Sequence, residues 1–282
     1  AQAHALMAGI EEAYPGLDHT WRLMDAHFWE PRHQLYADEA TTDWRVGAYR
    51  GQNANMHACE ALMAAFEATQ EARYLERALA VAESVTGWLA SLADGLVWEH
   101  YREDWSVDWD FNRGDRSDIF RPWGFQTGHL TEWAKLLLQL ERLLNAQGGE
   151  TSWILPRARH FFDTAMHNGW DETHGGLVYG FAPGGEVCDA DKYFWVQAES
   201  LAAAMHGNRA YWAAGVAPTT FTATGTTVAD PTGVLTGTRD CVANTCDNRQ
   251  LAAYDVQRWV ANLNAQFPNY AATVNCSSTS GV

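Results

Sequence analysis

Positive charge is scarce in this chain: 19 Lys and Arg stand against 35 Asp and Glu, a formal charge of −16 at pH 7. So acidic a surface repels phosphate, which argues against a nucleic-acid partner. Long apolar runs are missing too. No stretch reaches the roughly 18 residues of a membrane-spanning helix, so no membrane partner is expected. The opening residues, Ala1 to Met7, have no initiator Met, basic region or apolar core. They read as lying inside a longer gene product rather than as a secretory leader.

Two further absences are local. No lysine follows Lys192 and no glutamate follows Glu199. Beyond His206 the four arginines balance four aspartates, so the whole −16 belongs to residues 1–206. Of the 14 tryptophans only Trp212 and Trp259 lie beyond that point, where Thr, Ala, Asn and Gly dominate. The shift places a domain boundary near 206: residues 1–206 as one unit and 207–282 as a Thr/Ala-rich second. Cysteine is sparse and divides the same way. Cys59 and Cys188 stand alone, as buried thiols do. Cys241, Cys246 and Cys276 cluster in a polar setting that suits a disulfide and lacks the spacing of a zinc site. The first part reads as cytoplasmic and the second as exported.

What is present in residues 1–206 is repetition. The segment from Trp29 to Tyr36 is similar to that from Trp170 to Tyr179, with a looser copy from Asp94 to Trp98. Each follows a stretch with apolar residues three and four apart (17–28, 73–93 and 153–168) and precedes a second helical stretch (54–69, 126–146 and 193–206). The second helices share a signature: His57-Ala58-Cys59-Glu60, His129-Leu130-Thr131-Glu132 and Val196-Gln197-Ala198-Glu199. A period near 70 residues means stacked helical hairpins, whose natural closed form is an α/α toroid lined by the second helices.

Residues i and i+3 share a helix face, so the carboxylate of His-x-x-Glu can reach the imidazole or a shared ligand. A nearby carboxylate raises the imidazole pKa and readies it for proton transfer near neutral pH. Nothing like His-Glu-x-x-His accompanies the pair, so no metal is expected. The loops entering the second helices are aromatic and polar: Tyr49 to Met56, Phe120 to Gly128 and Lys192 to Trp195. Trp98 to Trp105 adds carboxylates and aromatics at the same end. Aromatic faces and a few planar polar groups are what a sugar site needs.

These motifs (Asn53-Ala54-Asn55-Met56-His57-Ala58-Cys59-Glu60-Ala61, Trp123-Gly124-Phe125-Gln126-Thr127-Gly128-His129-Leu130-Thr131-Glu132-Trp133 and Gly175-Gly176-Leu177-Val178-Tyr179) resemble the N-acylglucosamine 2-epimerase superfamily over about residues 10–205. The nearest branch is that of the aldose–ketose (mannose) isomerases. The resemblance implies a mainly α fold, here a partial (α/α)6 barrel with short β-hairpins, followed by a small α+β or irregular C-terminal segment. It implies a monosaccharide substrate, no cofactor, and a proton moved at C1/C2 through an enediol.

By the same resemblance, His129 is an acid/base and Glu132 holds and tunes it. His57, with Asn53, binds near the ring oxygen and helps to open the ring. Trp195 stacks on the sugar, and Arg121 matches a loop arginine. A six-hairpin ring of about 70 residues per unit needs roughly 400 residues, and residues 1–206 hold three units. The family's second acid/base histidine and its first-hairpin arginine have no counterpart, so a partner copy of the chain is one way to complete the ring.

Residues from about 206 weakly resemble the soluble part of a type IV pilus minor pilin, with a helix over 248–266 and a bridge from Cys241 or Cys246 to Cys276. Two alternatives stand beside the isomerase: an inactive isomerase fragment joined to a pilin-like or structural module, and an (α/α) glycoside hydrolase using acids such as Glu99, Asp108 or Asp110.

Overall fold

The computed structural model describes residues 14–115, 117–207, 220–241, 244, 246, 248–266, 268 and 270–275. Three helix–strand–helix repeats stand in sequence order. The first holds α1 (Tyr14–His27) and α2 (Gln52–Thr69), and α2 packs on the helix that opens the second. The second pairs α3 (Ala72–Glu83), which widens into π-helical turns over Ser84–Leu89, with α4 (Thr127–Ala146). The third holds α5 (Ile154–Gly169) and α6 (Phe194–Gly207), each packed on α4. The expected helices match these bounds closely, because each has an apolar stripe to bury.

Helix α4 is the exception to the stripe. Every residue from Thr127 to Leu138 is buried, including His129, Glu132 and Lys135. It packs against both α5 and α6, so it is the middle of the stack and its polar side chains point into the protein. One continuous core runs through the stack, with Trp98, Trp105 and Trp133 fully buried in it.

Short antiparallel strand pairs tie the helix ends together. Strand β1 (Trp29–Glu30) pairs with β2 (Leu35–Tyr36) at the first turn. Strand β3 (Arg50–Gly51) pairs with β4 (His100–Tyr101), Arg50 opposite Tyr101 and Gly51 opposite His100. Strand β5 (Phe125–Gln126) pairs with β6 (Gly180–Phe181), and β6 with β7 (Val187–Asp189). Thus α2 and α4 each start directly from a strand.

The C-terminal part is a small α+β unit. Strands β8 (Thr220–Thr224), β9 (Thr227–Ala229) and β10 (Ala271–Asn275) form an antiparallel sheet in the order β10-β8-β9. Along β8 only Phe221 and Ala223 are buried, the alternation of a sheet with one covered face. Helix α7 (Asn248–Gln266) covers it with Ala252, Val256 and Val260. The expected bridge to Cys276 gives way to a short-range one: Cys241 is bonded to Cys246, five residues on and 5.6 Å away between Cα atoms. Cys276 lies outside the described residues, as do residues 208–219 at the start of the segment with the pilin resemblance. Among the described residues no helix is long and apolar enough to cross a membrane.

Candidate active site

The β3–β4 register decides the first contact of the site. With Gly51 opposite His100, the next residues outward, Gln52 and Glu99, face each other. The Gln52 backbone N–H donates to the Glu99 carbonyl (3.2 Å), and the Gln52 side-chain amide donates to Glu99 Oε2 (3.0 Å). Trp133 fixes which way that amide points. Its indole N–H can only donate and lies 2.7 Å from Gln52 Oε1, so the Gln52 nitrogen must face Glu99.

His129 enters the same network from the third position of α4. Its Nδ1 lies 2.9 Å from Glu99 Oε2 and 3.0 Å from Gln52 Nε2. Because the Gln52 nitrogen is a donor, Nδ1 has only the carboxylate oxygen to bond, and does so as N–H. The neutral ring is then the Nδ1–H tautomer, and Nε2 carries the lone pair without a partner among the described residues. Burial pulls the imidazolium pKa down. The Glu99 carboxylate, aided by Glu132 and Glu199, outweighs this and holds His129 above its ordinary value. Glu99 Oε1 is buried and has no hydrogen bond among the described residues.

The carboxylate hydrogen-bonded to His129 is therefore Glu99, with Glu132 acting on it through space. The i+3 spacing puts Glu132 on the same helix as His129 but turns it toward a second cluster. There His57 and Glu60 of α2, Glu132 and Lys135 of α4, and Glu199 of α6 meet. The Lys135 ammonium lies 2.6 Å from Glu199, 3.5 Å from Glu60 and 3.8 Å from Glu132. Burial, then the neighbouring Glu199, push the Glu132 carboxyl up, against Lys135. His57 is exposed and 3.6 Å from Glu60. His57, Glu60 and Glu132 each offer an atom within 4.8 Å of the others, a spacing that could hold a cation, but Lys135 already supplies the positive charge there.

The remaining expected residues divide. Trp195, at the start of α6, sets its ring 5.3 Å from the His129 ring and edge-on to Tyr179. Asn53 is one turn before His57 on α2, and its Oδ1 is buried with no hydrogen-bond partner among the described residues. Arg121 stands apart: it pairs with Glu39 (3.1 Å) and lies 4.2 Å above the Tyr49 ring. Of the acids weighed for hydrolysis, Glu99 is bonded to His129, and Asp108 accepts from Arg102 and the Asp110 backbone. Sequence reasoning gave no role to Gln52, Lys135 or Glu99 in this network. The signal for Gln52 and Glu99 was their adjacency to two short extended segments that had to pair.

A family model for N-acylglucosamine 2-epimerase (GlcNAc 2-epimerase) matches residues 1–220. The chain belongs to this family. It is 53% identical over 206 residues to a D-mannose isomerase of Marinomonas mediterranea, covering 72% of this chain and 51% of that protein. Against a D-mannose isomerase of Thermobifida fusca it is 36% identical over 213 residues, covering 74% of this chain and 51% of the other. A crystal structure of D-mannose isomerase superposes with a TM-score of 0.69 at 53% identity, over 74% of this chain and 53% of that one. The chain thus spans about half the length of the curated relatives it matches.

Proposed function

We propose that this chain carries a cofactor-independent proton-transfer site of the aldose–ketose isomerase type, acting on a monosaccharide of the mannose–fructose kind in the cytoplasm. The observation that carries the reading is the anchoring of His129 Nδ1 by a buried carboxylate, which leaves Nε2 basic beside an aromatic face. In this reading Nε2 takes the proton from the carbon next to the carbonyl. Glu99 stabilises the imidazolium that forms, and its Nε2–H exchanges with solvent before a proton is delivered to the neighbouring carbon of the enediol, while the carbonyl oxygen gains a proton and the neighbouring hydroxyl gives one up. Trp195 supplies the face on which the sugar's C–H groups rest. Asn53 and His57 meet the ring oxygen, and Glu132 and Lys135 form the charged wall opposite. Arg121 would act at the rim, through the loop it shares with Tyr49. A second copy of the chain could close the ring.

The test is solvent exchange. Purified chain incubated with mannose or fructose in deuterium oxide should place deuterium at C2 of the aldose and C1 of the ketose. His129→Asn should slow exchange by about 10²–10⁴-fold. Absent exchange, or exchange that survives the substitution unchanged, sinks the reading.

A further inference from the structure

Helix α7 carries two stripes. Ala252, Val256 and Val260 are buried on its own sheet. The other stripe holds Asp255, Arg258, Trp259, Asn262 and Gln266 at three- and four-residue spacing. It faces α5, the turn around Trp170 and one side of α6 across a cleft of about 480 Å3. That volume is within the range of small-molecule sites, roughly 300–1,000 Å3.

The cleft is amphipathic: Phe162, Met166, Leu177 and Leu201 give it an apolar side, and Asp255, Asn262 and Gln266 line it with polar groups open to water. Arg258 lies 5.1 Å above the Trp170 ring and 5.6 Å from the Tyr254 ring, donating to the Tyr254 hydroxyl at 3.0 Å. Burial, only partly offset by Arg258, pushes the Asp255 carboxyl up to about 6. A carboxyl, a guanidinium and two amides beside Trp170 and Trp259 offer acceptors, donors and aromatic surface together. That combination suits a polyhydroxylated ring better than an aliphatic chain, which would leave the polar stripe unpaired.

We propose that this cleft is a second saccharide-binding site, for a neutral mono- or disaccharide, separate from the His129 centre. The proposal does not rest on proton transfer at His129. The two sites share helix α6 as a wall: Gln197 and Leu201 face the cleft, while Trp195 and Glu199 belong to the His129 side.

The probes are methyl α-mannoside and methyl β-maltoside, whose blocked anomeric carbon prevents ring opening. Binding to the full chain is followed by calorimetry and saturation-transfer NMR. We expect saturable binding in wild type and equally in His129→Asn, weakened at least tenfold by Asn262→Leu and by Trp259→Ala. Asn262→Leu carries the test if Trp259→Ala fails to fold, near-ultraviolet circular dichroism showing which variants are native. No saturable binding in His129→Asn overturns the proposal, as does unchanged affinity in Asn262→Leu. Tighter uptake of hexylammonium than of either glycoside also overturns it, since the cleft would then be an amine site.

Discussion

A Cβ built on Gly128 lies 2.5 Å from the ring carbons of Trp195 and 2.9 Å from Val196 Cγ2. Helices α4 and α6 therefore meet where only a glycine fits, and this close approach sets the indole beside His129. Gly128→Ala should destabilise the chain by about 1–3 kcal/mol, as overpacking does, and push the Trp195 ring away from the imidazole. Chemical denaturation with tryptophan fluorescence checks both. Unchanged midpoint and emission would show that the helices can part at no cost.

Glu99→Gln keeps the size of the side chain and removes its charge. The imidazolium of His129 loses its main support against burial, so its pKa should fall. An NMR titration of the His129 ring reads this directly. Deuterium exchange into the sugar should slow by about 10–100-fold, the scale seen when the group orienting a histidine is altered. Glu132→Gln should move the His129 pKa less, because Glu132 acts on it through space alone.

The pH dependence of stability follows from two groups with raised pKa values. The folded state favours the His129 imidazolium, so its contribution is complete below the ordinary value of 6.5 and fades as pH rises through the folded value. Asp38 acts in the same direction. Burial, against the Gly51 N–H it accepts, raises it from 3.8 to about 7, so the folded chain holds a proton that the unfolded chain has lost. Unfolding free energy should therefore decline between about pH 4 and 7 on account of Asp38. In Asp38→Asn the decline should shrink, with a gain on the order of 1 kcal/mol at pH 8 and little at pH 4. Urea melts across that range measure it, and a parallel curve for the variant would contradict the assignment.

Among the described residues Lys135 is the one ammonium beside Glu60, Glu132 and Glu199. Lys135→Met removes it and leaves buried carboxylates facing one another, which should cost about 3–5 kcal/mol. Adding Glu199→Gln should recover part of the loss, because Glu199 is the nearest partner at 2.6 Å. A double-mutant cycle by thermal melts gives the coupling. Strictly additive losses would mean that the pair contributes nothing.

Much of this was legible in the chain itself. The three helix–strand–helix repeats follow from apolar periodicity and from the recurring Trp-to-Tyr turns. His129 and Trp195, named separately from their motifs, lie with ring centroids 5.3 Å apart. The partner of His129 was not legible from helical spacing. Position i+3 puts Glu132 on the right helix, but the ring turns back toward the helix start, where strand pairing delivers Glu99 from 30 residues upstream. Lys135 had no role in the sequence reading, because its ion pairs come from Glu60 of α2 and Glu199 of α6 rather than from its own helix alone. Cys241 found Cys246 rather than Cys276 because a five-residue loop already brings the thiols together.

The two-residue ladder between β3 and β4 has a consequence for sequence change. Side chains alternate across a strand, so a slip of one position would swing Glu99 to the opposite face and leave His129 without its carboxylate. Residues 102–109 fold back on the same ladder, Val107 bridging Tyr101 and the Asp108 N–H donating to the His100 carbonyl, so they guard that alignment too. A single residue added between Arg50 and Gln52, or between Glu99 and Tyr101, destroys it. Length variation among relatives should therefore crowd into the long connections and stop abruptly at these two dipeptides.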